Sequence, residues 1–98
     1  MQITKTLNDG ALDIALQGRL DTTTAPQLEE ELKSSMDGVT ALTMDMAELQ
    51  YISSAGLRVL LAAQKVMNKQ GTMVLRNVCE DIREVFDITG FSDILTIE

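Results

Sequence analysis

Alternation of apolar and polar residues predicts two β-strands at the start of the chain. Residues 2–7 and 11–17 alternate with a period of two, the spacing at which side chains point to opposite faces of a strand. Between them, Asn8-Asp9-Gly10 indicates a tight turn, because Asp-Gly tolerates the positive φ values of a type I′ turn. The two strands should therefore form an antiparallel hairpin.

Helical spacing of apolar residues predicts three helices that alternate with further strands. Thr24 is the expected N-cap of the first helix, and Gly38, Gly71 and Gly90 are placed to end the three helices. The order β-β-α-β-α-β-α-β predicts one α/β domain over residues 1–98, with a mixed sheet of about five strands. The elements are predicted at residues 2–7, 11–17, 25–37, 40–46, 54–69, 72–76, 80–89 and 95–97.

The polarity of the strands predicts where the helices lie. Successive helical crossovers between parallel strands are almost always right-handed, so strands added on the same side place all the helices on one face of the sheet. Parallel strands covered on both faces are near-continuous apolar runs, whereas residues 11–17 and 40–46 alternate with polar residues. We therefore expect the helices mainly on one face and a partly hydrated opposite face.

Composition and charge argue against several classes of function. The chain has 15 acidic and 8 basic residues, so nucleic acid, which requires cationic surface, is not an expected partner. It has no histidine, the commonest general base, and one cysteine, so neither an enzyme nor a metal or other cofactor is expected. The polar N-terminus and the lack of a long apolar run predict a cytoplasmic location without membrane insertion.

Two adjacent serines, Ser53 and Ser54, lie where the third strand passes into the second helix. Loops at the carboxyl ends of parallel strands meet at one edge of a sheet, where ligands and functional groups collect. We therefore expect Asp21 and Asn77 to converge with the serines there, with Asp45 close by. The free backbone N–H groups at a helix start could also receive an anion.

Ser54 has two interpretations. It could cap the second helix, a contribution of roughly 1 kcal/mol, or it could present an exposed hydroxyl that can be modified. Gly56, in the first helical turn, has two interpretations as well, close approach of a partner or close packing of the helix on the sheet.

The second helix carries more apolar surface than an amphipathic helix on a sheet requires. Its second stripe could pack on a neighbouring helix or form an exposed docking patch beside Ser54. The first stripe consists of Leu57, Leu60, Leu61 and Met67, and the second of Val59, Ala62, Ala63 and Val66.

Three motifs resemble those of one protein family. Tyr51-Ile52-Ser53-Ser54-Ala55-Gly56-Leu57, preceded by Met44-Asp45-Met46, looks like the signature of STAS domains, in particular of bacterial anti-sigma factor antagonists. Gly18-Arg19-Leu20-Asp21 resembles the first-loop motif of that family, and Val85-Phe86-Asp87-Ile88-Thr89-Gly90-Phe91 resembles the end of its third helix. The resemblance covers nearly the whole chain in the same order.

The resemblance implies a partner-switching mechanism. The unphosphorylated antagonist would bind an anti-sigma factor that is a serine kinase, and the sigma factor would be released. Phosphorylation of Ser54, rather than of Ser53, would end the contact, and a metal-dependent serine/threonine phosphatase would restore it. The implied partner-binding residues are Asp21, Thr22, Asp45, Ser53, Ala55, Gly56, Leu57, Arg58 and Ala62.

The chain departs from the family pattern at two positions. Ser53 stands where the family commonly has aspartate, and Ala55 where it commonly has serine or threonine. Two other functions remain open. The domain could be a STAS scaffold subunit of a transporter or another assembly without phosphorylation, or an enzyme that uses Asp21 or Asp45, although no histidine, metal cluster or glycine-rich phosphate loop supports the latter.

Overall fold

The chain forms four strands, three α-helices and a short 3₁₀ turn. The computed structural model describes residues 1–98. In chain order, the elements are β1 (Gln2–Asn8), β2 (Ala11–Leu20), α1 (Ala25–Ser35), β3 (Ala41–Ile52), α2 (Ser54–Gln70), β4 (Thr72–Arg76), α3 (Glu80–Thr89) and the 3₁₀ turn Phe91–Asp93.

The strands form one mixed sheet in the order β1-β2-β3-β4. β1 and β2 are antiparallel, and β2, β3 and β4 are parallel to one another. Asp9 and Gly10, at the turn of the β1–β2 hairpin, have φ values of 50° and 85°, the positive values that a type I′ turn requires. The predicted hairpin and the predicted mixed α/β sheet are confirmed.

The last predicted strand is reduced to a single bridge. Ile97 pairs with Leu75 at the outer edge of β4, where the Leu75 N–H donates to Thr96 O and the Glu98 N–H donates to Leu75 O, both at 2.9 Å. The sheet therefore has four strands rather than five. The 3₁₀ turn occupies residues 91–93 and Ile94 keeps helical backbone angles, so too few residues remain for a longer strand.

β3 is longer than predicted, and two bulges explain why. The sequence predicts a strand over 40–46, but its pairing with β2 continues to the Leu20–Ile52 pair through two register shifts. Each shift inserts an extra residue into β3 and changes which residue points inward. The buried residues beyond Met44 are therefore Met46, Leu49 and Ile52, three apart, which breaks the alternation by which a strand is recognised.

The core lies between the sheet and the three helices. It contains 24 buried apolar residues, including the alternate positions Leu12, Ile14 and Leu16 of β2. The opposite face of the sheet is polar and carries Thr4, Thr6, Asp13 and Thr43 around a shallow depression. Helices on one face and a hydrated opposite face are confirmed.

α2 divides its apolar surface between the core and solvent. Leu57, Leu60 and Met67 of its first stripe are buried, whereas Leu61 is half-buried. In the second stripe, Val59 and Ala63 are buried, but Ala62 and Val66 are exposed beside a groove between α1 and α2. Packing against the protein interior is therefore confirmed for Val59 and Ala63, and the docking patch stays a prediction for the exposed Ala62 and Val66.

Candidate functional site

The two serines occupy different environments at the β3–α2 junction. Ser53 is the N-cap of α2: its N–H donates to Leu20 O at 2.9 Å, and its carbonyl accepts the Leu57 N–H at 3.0 Å. Its Oγ is buried, lacks a hydrogen-bond partner and does not cap the helix. Ser54 is the first helical residue and its side chain is exposed. The capping interpretation of Ser54 is therefore wrong, and Ser54 carries the accessible hydroxyl.

Removal of the Ser53 hydroxyl should not destabilise the protein. Truncation of a capping serine to alanine normally costs about 1 kcal/mol, but the Ser53 Oγ caps nothing and is buried without a partner. We expect Ser53→Ala to leave the free energy of unfolding unchanged or to raise it slightly, as measured by urea denaturation. A loss of about 1 kcal/mol would show instead that the hydroxyl does cap α2 in solution.

Asp21 is held by the first turn of the β2–α1 connection. Its Oδ1 accepts the Thr23 hydroxyl at 2.7 Å, the Thr23 N–H at 3.0 Å and the Thr24 N–H at 3.2 Å. Arg19 Nε lies 3.7 Å from the other carboxylate oxygen. The hydrogen bond from the Thr23 hydroxyl, with those from the backbone, lowers the pKa of Asp21 below its ordinary value. Asp21 is therefore a fixed negative charge beside the junction.

Thr24 occupies the predicted N-cap position of α1 but does not cap with its side chain. Its Oγ1 instead accepts the Asp21 N–H and donates to Arg19 O, both at 2.8 Å. The hydroxyl therefore braces the loop that carries Asp21 and Thr22.

The stabilisation that Asp21 provides should decrease as the pH is lowered. Because its folded pKa is lowered, its contribution is present above the unfolded pKa of about 3.9 and is lost as the pH falls through the folded value. We expect wild type to be more stable than Asp21→Asn at pH 7, with the difference in free energy of unfolding shrinking below about pH 4. Chemical denaturation of both proteins from pH 7 to pH 3 measures this difference, and a pH-independent difference would contradict it.

Asp45 and Asn77 form a separate pair on the open face of the sheet. Asp45 Oδ1 accepts the Ala47 N–H at 2.9 Å and the Asn77 side-chain amide at 3.1 Å, and these bonds lower the pKa of Asp45. Asp45 lies beside Ala15, five residues before Leu20 on β2, so about 17 Å separates this pair from the junction. The predicted convergence is therefore correct for Asp21 and the serines and wrong for Asn77 and Asp45, because β3 continues as a strand past Asp45.

The other predicted partner-binding residues differ in exposure. Thr22, Arg58 and Ala62 are exposed, and Ala55 is half-buried. Leu57 is buried in the core, and a Cβ on Gly56 would lie 2.7 Å from Leu20 Cγ. Close packing on the sheet therefore explains Gly56. Gly56 and Leu57 hold α2 in place and do not present side chains to a partner.

Sequence reasoning missed one exposed pair beside the junction. The Arg19 guanidinium carbon lies 4.2 Å from the centroid of the Tyr51 ring, an arrangement that favours cation–π attraction. The two residues are register partners on β2 and β3. The bulges of β3 conceal that register, and the only signal in the sequence is that Tyr51 lies two residues before Ser53 and Arg19 two residues before Asp21.

A second missed residue is Gln64 of α2, which is 6% exposed. Its Nε2 donates to Asn68 Oδ1 at 2.9 Å, and its Oε1 is buried without a partner. Gln64 lies four residues after Leu60 and three before Met67, so helical spacing places it within the first stripe, and its polarity is what conceals its burial.

A shallow surface depression extends from the junction along α2. Its first part, about 200 Å³, lies between the β2–α1 connection and the first turns of α2. Glu29 and Val59 line both this part and the apolar groove between α1 and α2, which holds about 270 Å³. The first part is lined by Thr22, Ala25, Pro26, Glu29, Ala55, Arg58 and Val59. Ser54 lines neither part, but the next residue, Ala55, lines the first, so the depression begins one residue from the exposed hydroxyl.

Comparison with known proteins identifies the class of this domain. The family model described as STAS domain matches residues 2–98. The chain belongs to the STAS domain family. No helix of the structure has the length and apolar character needed to cross a membrane.

Within that family, the chain belongs to the group of anti-sigma factor antagonists. It is 42% identical to BtrV of Bordetella bronchiseptica, which is described as a candidate anti-sigma factor antagonist; the match covers 99% of this chain and 85% of BtrV. It is 32% identical to the anti-sigma-B factor antagonist of Bacillus subtilis, over 92% of this chain and 84% of that protein.

Solved structures agree on the fold. The Bacillus protein SpoIIAA in its phosphorylated form superposes with a TM-score of 0.77 at 19% identity, over 99% of this chain and 91% of that one. The unphosphorylated form of SpoIIAA gives 0.78, also at 19% identity, over 99% of this chain and 87% of that one.

Proposed function

We propose that this protein is a cytoplasmic anti-sigma factor antagonist controlled by phosphorylation of Ser54. In the unphosphorylated form it binds an anti-sigma factor that is a serine kinase, and the sigma factor is released. The kinase phosphorylates Ser54 and the complex dissociates. A metal-dependent serine/threonine phosphatase then restores the binding form. The protein performs no chemistry of its own in this cycle.

The observation that carries the proposal is the contrast between the two serines. Ser54 is exposed in the first turn of α2, whereas the Ser53 Oγ is buried. A kinase must reach the hydroxyl oxygen, so only Ser54 is available without local unfolding. The relatives support the assignment, since the homologues are named as antagonists and the structural neighbour SpoIIAA exists in a phosphorylated form.

The electrostatics of the junction suit a surface switch. A phosphate adds about −1.5 to −2 charges, and the helix N-terminus favours negative charge, so the fold should tolerate the modification. The chain already carries a net charge of −7, and the fixed carboxylate of Asp21 lies nearby. A partner surface that complements this region would therefore meet a large change in charge while the fold of the antagonist changes little.

Phosphorylation mapping tests the proposal. Each serine-kinase anti-sigma factor encoded in the same genome is purified and incubated with this protein and ATP, and the products are mapped by mass spectrometry. We expect phosphate on Ser54 in wild type and in Ser53→Ala, and none in Ser54→Ala. If no such kinase modifies Ser54, the switch is contradicted, and stable association with a transporter ATPase would then favour the scaffold function.

A further inference from the structure

Arg58 is placed to respond to a phosphate on Ser54. It lies four residues after Ser54 on α2, and residues four apart on a helix are neighbours with about 5–6 Å between their Cβ atoms. Helical side chains lean toward the N-terminus and cover the preceding turn, so a side chain as long as that of Arg58 can reach the turn that carries Ser54. A negative group four residues N-terminal to a positive one is also the more favourable order.

The guanidinium of Arg58 has no ion-pair partner in the unmodified protein. Arg19 pairs with Asp21, and Arg76 pairs with Glu98 at 3.2 Å. Glu29 lines the same depression as Arg58, but its carboxylate lies 3.6 Å from Lys33 Nζ and forms no ion pair with Arg58. Arg58 is therefore the unpaired cation closest to Ser54 along α2.

We propose that Arg58 pairs with the phosphate on Ser54 and is thereby withdrawn from the surface that the anti-sigma factor contacts. The inference rests on the proposed function and adds the regulation of that site. Before modification, the free guanidinium is available to an acidic group of the partner. After modification, a phosphate acceptor forms a charge-assisted pair with it on the same helix. One phosphate therefore adds negative charge and also neutralises the positive charge beside it.

Titration of the phosphate by ³¹P NMR tests the pairing. Phosphoserine is incorporated at position 54 during translation, so that the sample does not depend on a kinase. Arg58 should stabilise the dianion, and we expect Arg58→Gln to raise the second pKa of the phosphate by about 0.3. Arg58→Lys, which keeps the charge, should retain at least about half of the effect.

Lys65→Gln is the matched control, because it makes the same change in charge at an exposed position of α2 that is eleven residues from Ser54. It should leave the phosphate pKa unchanged. Equal pKa values in the Arg58→Gln and Lys65→Gln proteins would overturn the pairing. That result is independent of kinase mapping, so failure of the pairing and failure of the proposed function are distinguishable.

The affinity for the anti-sigma kinase tests whether Arg58 belongs to the surface that the partner contacts. Unphosphorylated Arg58→Gln should bind the anti-sigma kinase at least about fivefold more weakly than Lys65→Gln does, by isothermal titration calorimetry. Equal affinities would show that Arg58 does not face the partner and would overturn this part of the inference. Circular dichroism verifies that both variants are folded.

Discussion

Replacement of Ser54 by aspartate is expected to weaken binding to the anti-sigma kinase by about 30-fold or more. The substitution adds a fixed negative charge at an exposed position in the centre of the proposed contact surface, and an unfavourable charge in an interface costs about 2 kcal/mol or more. The fold should be unaffected, because an acidic residue in the first turn of a helix interacts favourably with the helix dipole. Isothermal titration calorimetry with the purified kinase measures the effect.

Ser54→Asn is the matched control, because asparagine has nearly the same shape as aspartate without the charge. It should bind within a few-fold of wild type, and the thermal unfolding of both variants should match that of wild type. If Ser54→Asp and Ser54→Asn bind equally well, charge at Ser54 does not control the contact.

Replacement of Gly71 by alanine should have the largest effect on stability. Gly71 is the C-cap of α2, and a Cβ there would lie 1.8 Å from the backbone oxygen of Thr40, the residue immediately before β3. Because the clash involves two backbone segments, no side-chain rotation relieves it. We expect a loss of about 3 kcal/mol in the free energy of unfolding, or a decrease of about 15 °C in Tm.

Gly38→Ala separates this clash from the general cost of replacing a glycine. Gly38 has a φ of 77° and has nothing within 4 Å of its Cβ position, so only the backbone cost of about 1 kcal/mol applies. Urea denaturation of both variants gives the comparison. Equal losses would mean that the close approach of Gly71 and Thr40 is not maintained in solution.

Most of the fold could be predicted from the sequence because its signals are local. The hairpin follows from alternation around Asp9-Gly10, and the ends of the helices follow from Gly71 and Gly90. The prediction fails where pairing between strands that are distant in the sequence overrides the periodic pattern. The bulges of β3 depend on hydrogen bonds to β2, and they alone decide that the strand continues to Ile52.

The site could be predicted in part for the same reason. Ser54 begins α2 and Asp21 follows β2, and the sequence patterns of these two elements place both residues correctly relative to the β3–α2 junction. The sequence misplaces Asp45, because the distance of Asp45 from Ser53 depends on whether the intervening residues form a strand or a loop. The close packing of Gly56 depends on Leu20 and Ile52, and no pattern in the sequence identifies these contacts.

Phosphate on Ser54 should end the contact with the anti-sigma factor. The most direct measurement is calorimetric titration of one purified anti-sigma kinase with two preparations of this protein, one unmodified and one carrying phosphoserine at position 54. We predict binding of the unmodified protein and a Kd at least about 100-fold higher for the phosphorylated one, a difference of about 2.7 kcal/mol. Equal affinity of the two preparations would contradict the switch.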